Sequence, residues 1–229
     1  MNLNFLIQNI RLLSFGIIMA FTSSFGQTFF ISLFGPSIQL EFGLTHTSWG
    51  GVYLIGTLGS ALVLTYSGSL IDYYKLNYYT FFSVFALIFS CIFISIISSY
   101  FLLVVAIFFL RQTGQGLTSH ISSTTMARYF VKKRGTAIAI GSLGMALGEA
   151  TLPVIVVILI SVIGWRVTYF SSSLFIMFFL LPFIILLLRK FETRFVEKIS
   201  SVKSVNLMQN DSNHEKSKSF TRLEVLKDF

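Results

Sequence analysis

Charge is what this sequence has least of. Only 11% of its 229 residues are Asp, Glu, Lys or Arg, less than half the roughly 25% of an ordinary soluble domain. With 54% hydrophobic residues and a mean hydropathy of +0.79, it does not read as a soluble domain. Cysteine is nearly absent. The single Cys91 lies inside an apolar run, so a disulfide framework is excluded. Asp72 is the only aspartate before residue 190, which excludes a membrane-embedded aspartate dyad. Gly141-Ser-Leu-Gly144 carries its serine one position too early for the G-x-S-G of an intramembrane serine protease. No grouping of His, Cys and carboxylates has metal-ligand spacing, and no paired histidines suit a redox cofactor. The reading is therefore not an enzyme, with no cofactor and no metal. There is no filter-like loop and no Asn-Pro-Ala pair, so a channel is disfavoured. The net charge of +8 does not imply a nucleic-acid partner, because the basic residues gather at the ends of apolar segments.

Long apolar runs are present in quantity. A hydrocarbon core about 30 Å thick needs about 20 apolar residues in a helix. Six runs meet this, at about 12–34, 50–70, 78–98, 101–123, 135–163 and 167–188. The first is expected to stop at Gly35-Pro36. It is too long for the apolar region of a signal peptide and is expected to span. The partner of these runs is the lipid bilayer.

All Lys and Arg except Arg111 and Arg166 fall on one side if the N-terminus is inside. The positive-inside rule then places both termini in the cytoplasm. Residues 191–229 differ sharply in composition, with seven Lys/Arg and six Asp/Glu among Ser and Asn. They are expected to form a partly disordered cytoplasmic tail or linker after a six-helix domain at 1–190. The final Thr221–Phe229 stretch suits a short amphipathic helix on the membrane or a turn leading to a further domain.

An internal repeat runs through the second and fifth helices. Ile55-Gly-Thr-Leu-Gly-Ser-Ala-Leu62 matches Ile140-Gly-Ser-Leu-Gly-Met-Ala-Leu147 at six of eight positions, at an offset of 85 residues. The same offset sets Gln27 against Gln112. These helices run in opposite directions, the pairing expected of a 3+3 inverted repeat. Small residues, including the Gly144–Gly148 GxxxG face, let helix backbones approach closely.

Together these residues resemble the N-terminal half of a major facilitator superfamily transporter. Gly68-Ser-Leu-Ile-Asp72-Tyr-Tyr-Lys75 is similar to the family's loop signature G-x-L-x-D-R-x-G-R-R. Gly68, Leu70 and Asp72 match, Tyr73 replaces the usual Arg, and Lys75 remains of the basic end. Arg111-Gln-Thr-Gly114-Gln-Gly116 resembles the arginine-bearing fourth-helix motif, with its glycines displaced by one. Gly164-Trp165-Arg166 before the sixth helix is also common in the family. The Gly-Pro pair of the antiporter-type fifth helix is absent; Gly148-Glu149 stands there, with Pro153 later. The overall flavour is nearest the bacterial monocarboxylate-transporter-like branches.

The resemblance implies an all-α membrane protein, half of a twelve-helix fold, located in the bacterial inner membrane. It implies secondary transport of a small solute, an organic anion by this reading, through alternating access. Six helices would act as a fragment, or with a second six-helix half, or with a second copy. A non-transporting structural protein, such as a degenerate half-transporter, is the alternative.

Two charges stand near mid-membrane. Arg111 is about eleven residues, about 16 Å, from the outer end of the fourth helix. Glu149 lies fourteen residues from either end of the fifth. Each costs at least ~2.5–3.5 kcal/mol in hydrocarbon, so both are expected to border a central cavity. Arg111 would pair with Glu149 when empty and bind a substrate carboxylate when loaded. The plainer possibility is a static salt bridge between the two helices. Glu149 is a candidate for proton coupling, as is His120, about 13.5 Å further along the fourth helix. His120 equally suits a hydrogen bond to a neighbouring helix. Gln27, Gln112 and Gln115 suit either interhelical hydrogen bonds or substrate contact. By resemblance, Gly68, Asp72 and Lys75 form an intracellular gating loop, with Asp72 held by charge pairs.

Overall fold

The computed structural model describes residues 3–188, and the tail expected at 191–229 lies outside them. Every regular element among the described residues is helical. α1 (Leu3–Ser23) and α2 (Thr28–Phe42) follow one another across a short 3-10 turn, Ser24–Gly26. α3 (His46–Ser67) leads through a second such turn, Gly68–Asp72, into α4 (Leu76–Ile96). α5 (Tyr100–Leu110) passes into a π-helical stretch, Arg111–Thr118, and then into α6 (Ser119–Tyr129). Val131–Lys133 turns the chain into α7 (Arg134–Phe175), and α8 (Leu181–Leu188) follows a further π-helical stretch.

Five continuous helical stretches are long and apolar enough to cross a membrane. The count differs from the six expected because Val131–Leu188 forms one 58-residue stretch. Within α7 Gly164 alone leaves helical geometry, at φ 78° and ψ 163°. That left-handed φ is open to glycine at little cost, which is why a change of direction falls there.

The first helix corrects another expectation. It begins by Leu3 and does not stop at Gly35-Pro36; it runs to Phe42. Pro36 removes one helical donor, a loss that packing tolerates in this setting. Gly35 is buried against the Trp49 indole. The true stop is Gly43, whose φ of 62° and N–H bond to the Gln39 carbonyl close the helix.

Packing is densest in two places. Near the helix break, Phe30 and Phe34 meet Tyr169, with the Phe34 and Tyr169 rings stacked at 3.8 Å, and Phe25 lies edge-on to Phe30. At the other end Leu13, Met126, Phe130 and Ala137 are buried together, with Phe5 set edge-on against Phe130. α1 packs chiefly on α7, and α3 on α5 with the π-helical stretch. This brings the break in the first helix against that stretch of the fourth.

Candidate functional site

The site is built where two interrupted helices cross. Gly26 and Gly114 meet backbone to backbone. A Cβ on Gly26 would lie 2.6 Å from the Gly114 Cα and 2.8 Å from the Gln115 nitrogen. No side chain fits between them, so glycine is required on both sides. The 3-10 turn and the extended Gln27 (φ −77°, ψ 157°) leave carbonyls of the first helix without their usual partners. At membrane depth such groups must be satisfied within the protein. Arg111 supplies one donor. Its Nη1 donates to the Gly26 carbonyl at 3.4 Å and to Thr28 Oγ1 at 3.1 Å.

Tyr53 completes the setting. Its hydroxyl donates to Thr28 Oγ1 at 2.8 Å, and its ring lies 5.4 Å below the Arg111 guanidinium. Arg111 is only 8% exposed. Its Nε is buried without a hydrogen-bond partner, and no carboxylate pairs with it among the described residues. The site therefore holds a buried cation that oxygens and a ring face stabilise but do not neutralise. The π-helical winding here is the kind of irregularity found at functional sites.

The Arg111–Glu149 pair expected from the sequence is not formed. The reason lies in α7. A Cβ on Gly144 would strike the Ile17 carbonyl, and one on Gly148 would strike Ser24, so that face of α7 is committed to the first helix. Glu149 sits about 100° further round. It is exposed and has no ion pair or hydrogen bond among the described residues.

The glutamines divide. Gln112 is 6% exposed and fully engaged: its Oε1 accepts from Ser60 Oγ at 3.1 Å and its Nε2 donates to Ser67 Oγ at 2.6 Å. It ties the fourth helix to α3. Gln27 is half-buried, with no side-chain hydrogen bond among the described residues. The Oε1 of Gln115 is buried without a partner.

At the far end of the fourth helix, the His120 ring lies against Gly68 and within 3.4 Å of the Thr124 hydroxyl. Asp72 forms an ion pair with Arg128, which also donates to the Ile71 carbonyl. Lys75, the residue before α4, is exposed and takes no part in that pair. The loop residues Gly68 and Asp72 are thus both in contact with the fourth helix.

Sequence reasoning missed Thr28, Tyr53, Ser60 and Ser67, which position the two key side chains. It also missed Glu41. At the opposite end from Asp72, Glu41 accepts from Trp165 Nε1 at 2.6 Å and from Arg166 Nη2 at 2.6 Å. Arg166 Nη1 reaches the Ser95 carbonyl at 3.0 Å. Thr28 had one signal, its place beside Gln27; Glu41 had none.

The sequence model of the Major Facilitator Superfamily matches residues 16–226. The chain belongs to the major facilitator superfamily. No curated protein and no solved structure matches it. Members of this superfamily are in general membrane transporters and not enzymes. The apolar helices agree, so the chain is a multi-pass membrane protein whose general function is transport.

Proposed function

We propose that this chain moves a small organic anion across the membrane by alternating access, as a secondary transporter, with Arg111 as the binding cation. One observation carries this reading: a buried guanidinium with no counter-charge among the described residues and with a bare Nε. An arriving carboxylate supplies the missing charge, and the planar guanidinium grips it through two donors. Thr28 and Tyr53 border the same position, and Gln27, half-buried, is the chain neighbour of Gly26 and Thr28. Gln112, as a substrate contact, would first have to release Ser60 and Ser67.

The helices are read as six crossings in a 3+3 inverted repeat, with Gly164 as the turn between the last two. The offset of 85 that relates Ile55–Leu62 to Ile140–Leu147 also relates Gly26 to Arg111, and these two bond to each other. Both repeats lose regular α-helical winding at this point, and the α1–α7 contact mirrors that of α3 with the fourth helix. These features support the repeat.

The six-helix domain at 1–190 acts with a second six-helix bundle, either a separate half or another copy of this chain. Glu149 supports this, because an exposed mid-depth carboxylate is expensive against lipid. That face borders water or the partner bundle, where Glu149 serves proton coupling, with His120 as a relay. The Asp72–Arg128 pair, with Gly68 and Lys75, latches the intracellular gate. Both termini are cytoplasmic and the membrane is a bacterial inner membrane.

Uptake of a panel of small organic acids, measured across pH, tests the proposal. Arg111→Lys is expected to raise KM about tenfold or more, since charge-assisted hydrogen bonds contribute ~1.5–3 kcal/mol. Glu149→Gln is expected to flatten the pH dependence. Wild-type kinetics in both variants would overturn these roles.

A further inference from the structure

The turn between the fourth helix and α7 is a second place where positive charge has no carboxylate partner among the described residues, and it stands at the end of a membrane-length helix. The 30-residue stretch Tyr100–Tyr129 is about 45 Å long at 1.5 Å per residue, well beyond a ~30 Å hydrocarbon core. Its end therefore reaches the headgroup layer. There the chain makes the 3-10 turn Val131–Lys133 and enters α7 at Arg134. Lys132, Lys133 and Arg134 are all exposed, and none pairs with a carboxylate among the described residues. The nearby carboxylate of Asp72 is taken by Arg128.

The turn is firmly seated. Phe130 is buried in the cluster with Leu13, Met126 and Ala137. Phe5 packs edge-on against Phe130 at 5.3 Å, and Lys133 Nζ rests 4.4 Å over the Phe5 ring. Arg134 Nε donates to the Ala127 carbonyl at 3.1 Å and fixes the exit. Between these anchors Val131 is 73% exposed, an apolar side chain directly beside three cations. Apolar contact and positive charge on one small, rigid turn match the layered chemistry of the bilayer interface. An interfacial seat of this kind would put Val131 toward the acyl boundary and the cations toward the phosphates.

We propose that this turn binds the phosphodiester headgroup of an anionic phospholipid, with Lys132, Lys133 and Arg134 as ligands and Val131 against the acyl chains. The site is independent of what Arg111 binds. A surface cation adds substantially to the attraction for anionic lipid, and three of them, screened by physiological salt, predict about a tenfold preference over a zwitterionic lipid.

The test is native mass spectrometry of the full chain in micelles doped with equal amounts of phosphatidylglycerol and phosphatidylcholine. The wild type is expected to retain phosphatidylglycerol about tenfold over phosphatidylcholine. K132R/K133R should keep that preference, and K132Q/K133Q/R134Q should lose it. K132Q/K133Q, which spares the Arg134 bond to Ala127, should lose most of it and serves if the triple variant does not fold. A merely topological role for these cations predicts no change in lipid retention. Equal retention of the two lipids by the wild type, or unchanged preference in the Gln variants, overturns the proposal. So does displacement of phosphatidylglycerol by inorganic phosphate beyond that caused by chloride at equal ionic strength, which would mark a site for free phosphate.

Discussion

Arg111 and Gln112 are neighbours in the chain and show two ways of handling a polar group in the membrane. Gln112 spends both ends of its amide on serines of α3. Arg111 keeps part of its guanidinium bare. The first pattern ties helices together; the second is the one on which the proposed anion site rests. Interhelical hydrogen bonds in membranes average ~0.6 kcal/mol, with a maximum near 1.7. Gln112→Ala is therefore expected to cost about 1 kcal/mol of stability, seen as a fall in the thermal midpoint of the detergent-solubilised protein. Ser60→Ala in that background should add little, because its partner is already gone. Full additivity of the two substitutions would show that the bond contributes nothing. Both residues were visible in the sequence as polar groups within an apolar run. Their different fates were not, because the deciding partners Ser60, Ser67, Thr28 and Tyr53 lie on other helices.

Two helices are interrupted, and the interruptions meet. The 3-10 turn at Ser24–Gly26 and the π-helical winding at Arg111–Thr118 bring Gly26 and Gly114 into backbone contact. Gly26→Ala would press a methyl into the Gly114 backbone, an obstacle that no rotamer change relieves. The expected cost is about 3 kcal/mol or more, at the severe end for single substitutions. Gly164→Ala makes an informative contrast. Nothing lies within 4 Å of its Cβ position, so only the strain of φ 78° applies. That cost is about 1–3 kcal/mol. Thermal unfolding of the two purified variants should rank them in this order, and the reverse ranking would sink the close-packing account. The apolar runs were legible because hydrophobic length is a strong signal at this scale. The end of the first helix was not. Gly35-Pro36 reads as a stop, yet burial against Trp49 carries the helix through it to Gly43.

Over the whole molecule the described ion pairs sit at opposite ends, Asp72 with Arg128 and Glu41 with Arg166. The second joins the end of α2 to α7 beyond Gly164 and, through the Ser95 carbonyl, to α4. Its side chains are 31% and 43% exposed, so solvent screens it, and pairs of this kind contribute at most ~1 kcal/mol. Glu41→Gln is expected to lower the thermal midpoint modestly at low salt, with the gap to wild type narrowing as salt rises. A gap that salt does not change would assign the effect to the Trp165 hydrogen bond instead. The charge swap E41R/R166E should restore only part of the loss, because Trp165 Nε1 would then face a guanidinium.

The surface of α7 poses the largest question at this scale, since one of its exposed side chains is Glu149. Leu147 is 54% exposed and lies two residues away, at nearly the same depth but about 200° round the helix. The two flank the buried Gly148, one on each side. If the Glu149 side borders a watery passage and the Leu147 side borders lipid, cysteines at the two positions must react differently with a charged, membrane-impermeant thiol reagent. Cys91 is fully buried, so background labelling is low. Glu149→Cys is expected to label at least about tenfold faster than Leu147→Cys, because the reagent attacks the thiolate, which forms readily only in contact with water. Addition of a transported acid should slow the reaction at Glu149→Cys alone. Equally slow labelling at both positions would place Glu149 in a dry environment and remove it from any route for protons or substrate. The Arg111 site would then stand as the whole of the chemistry that the bundle presents.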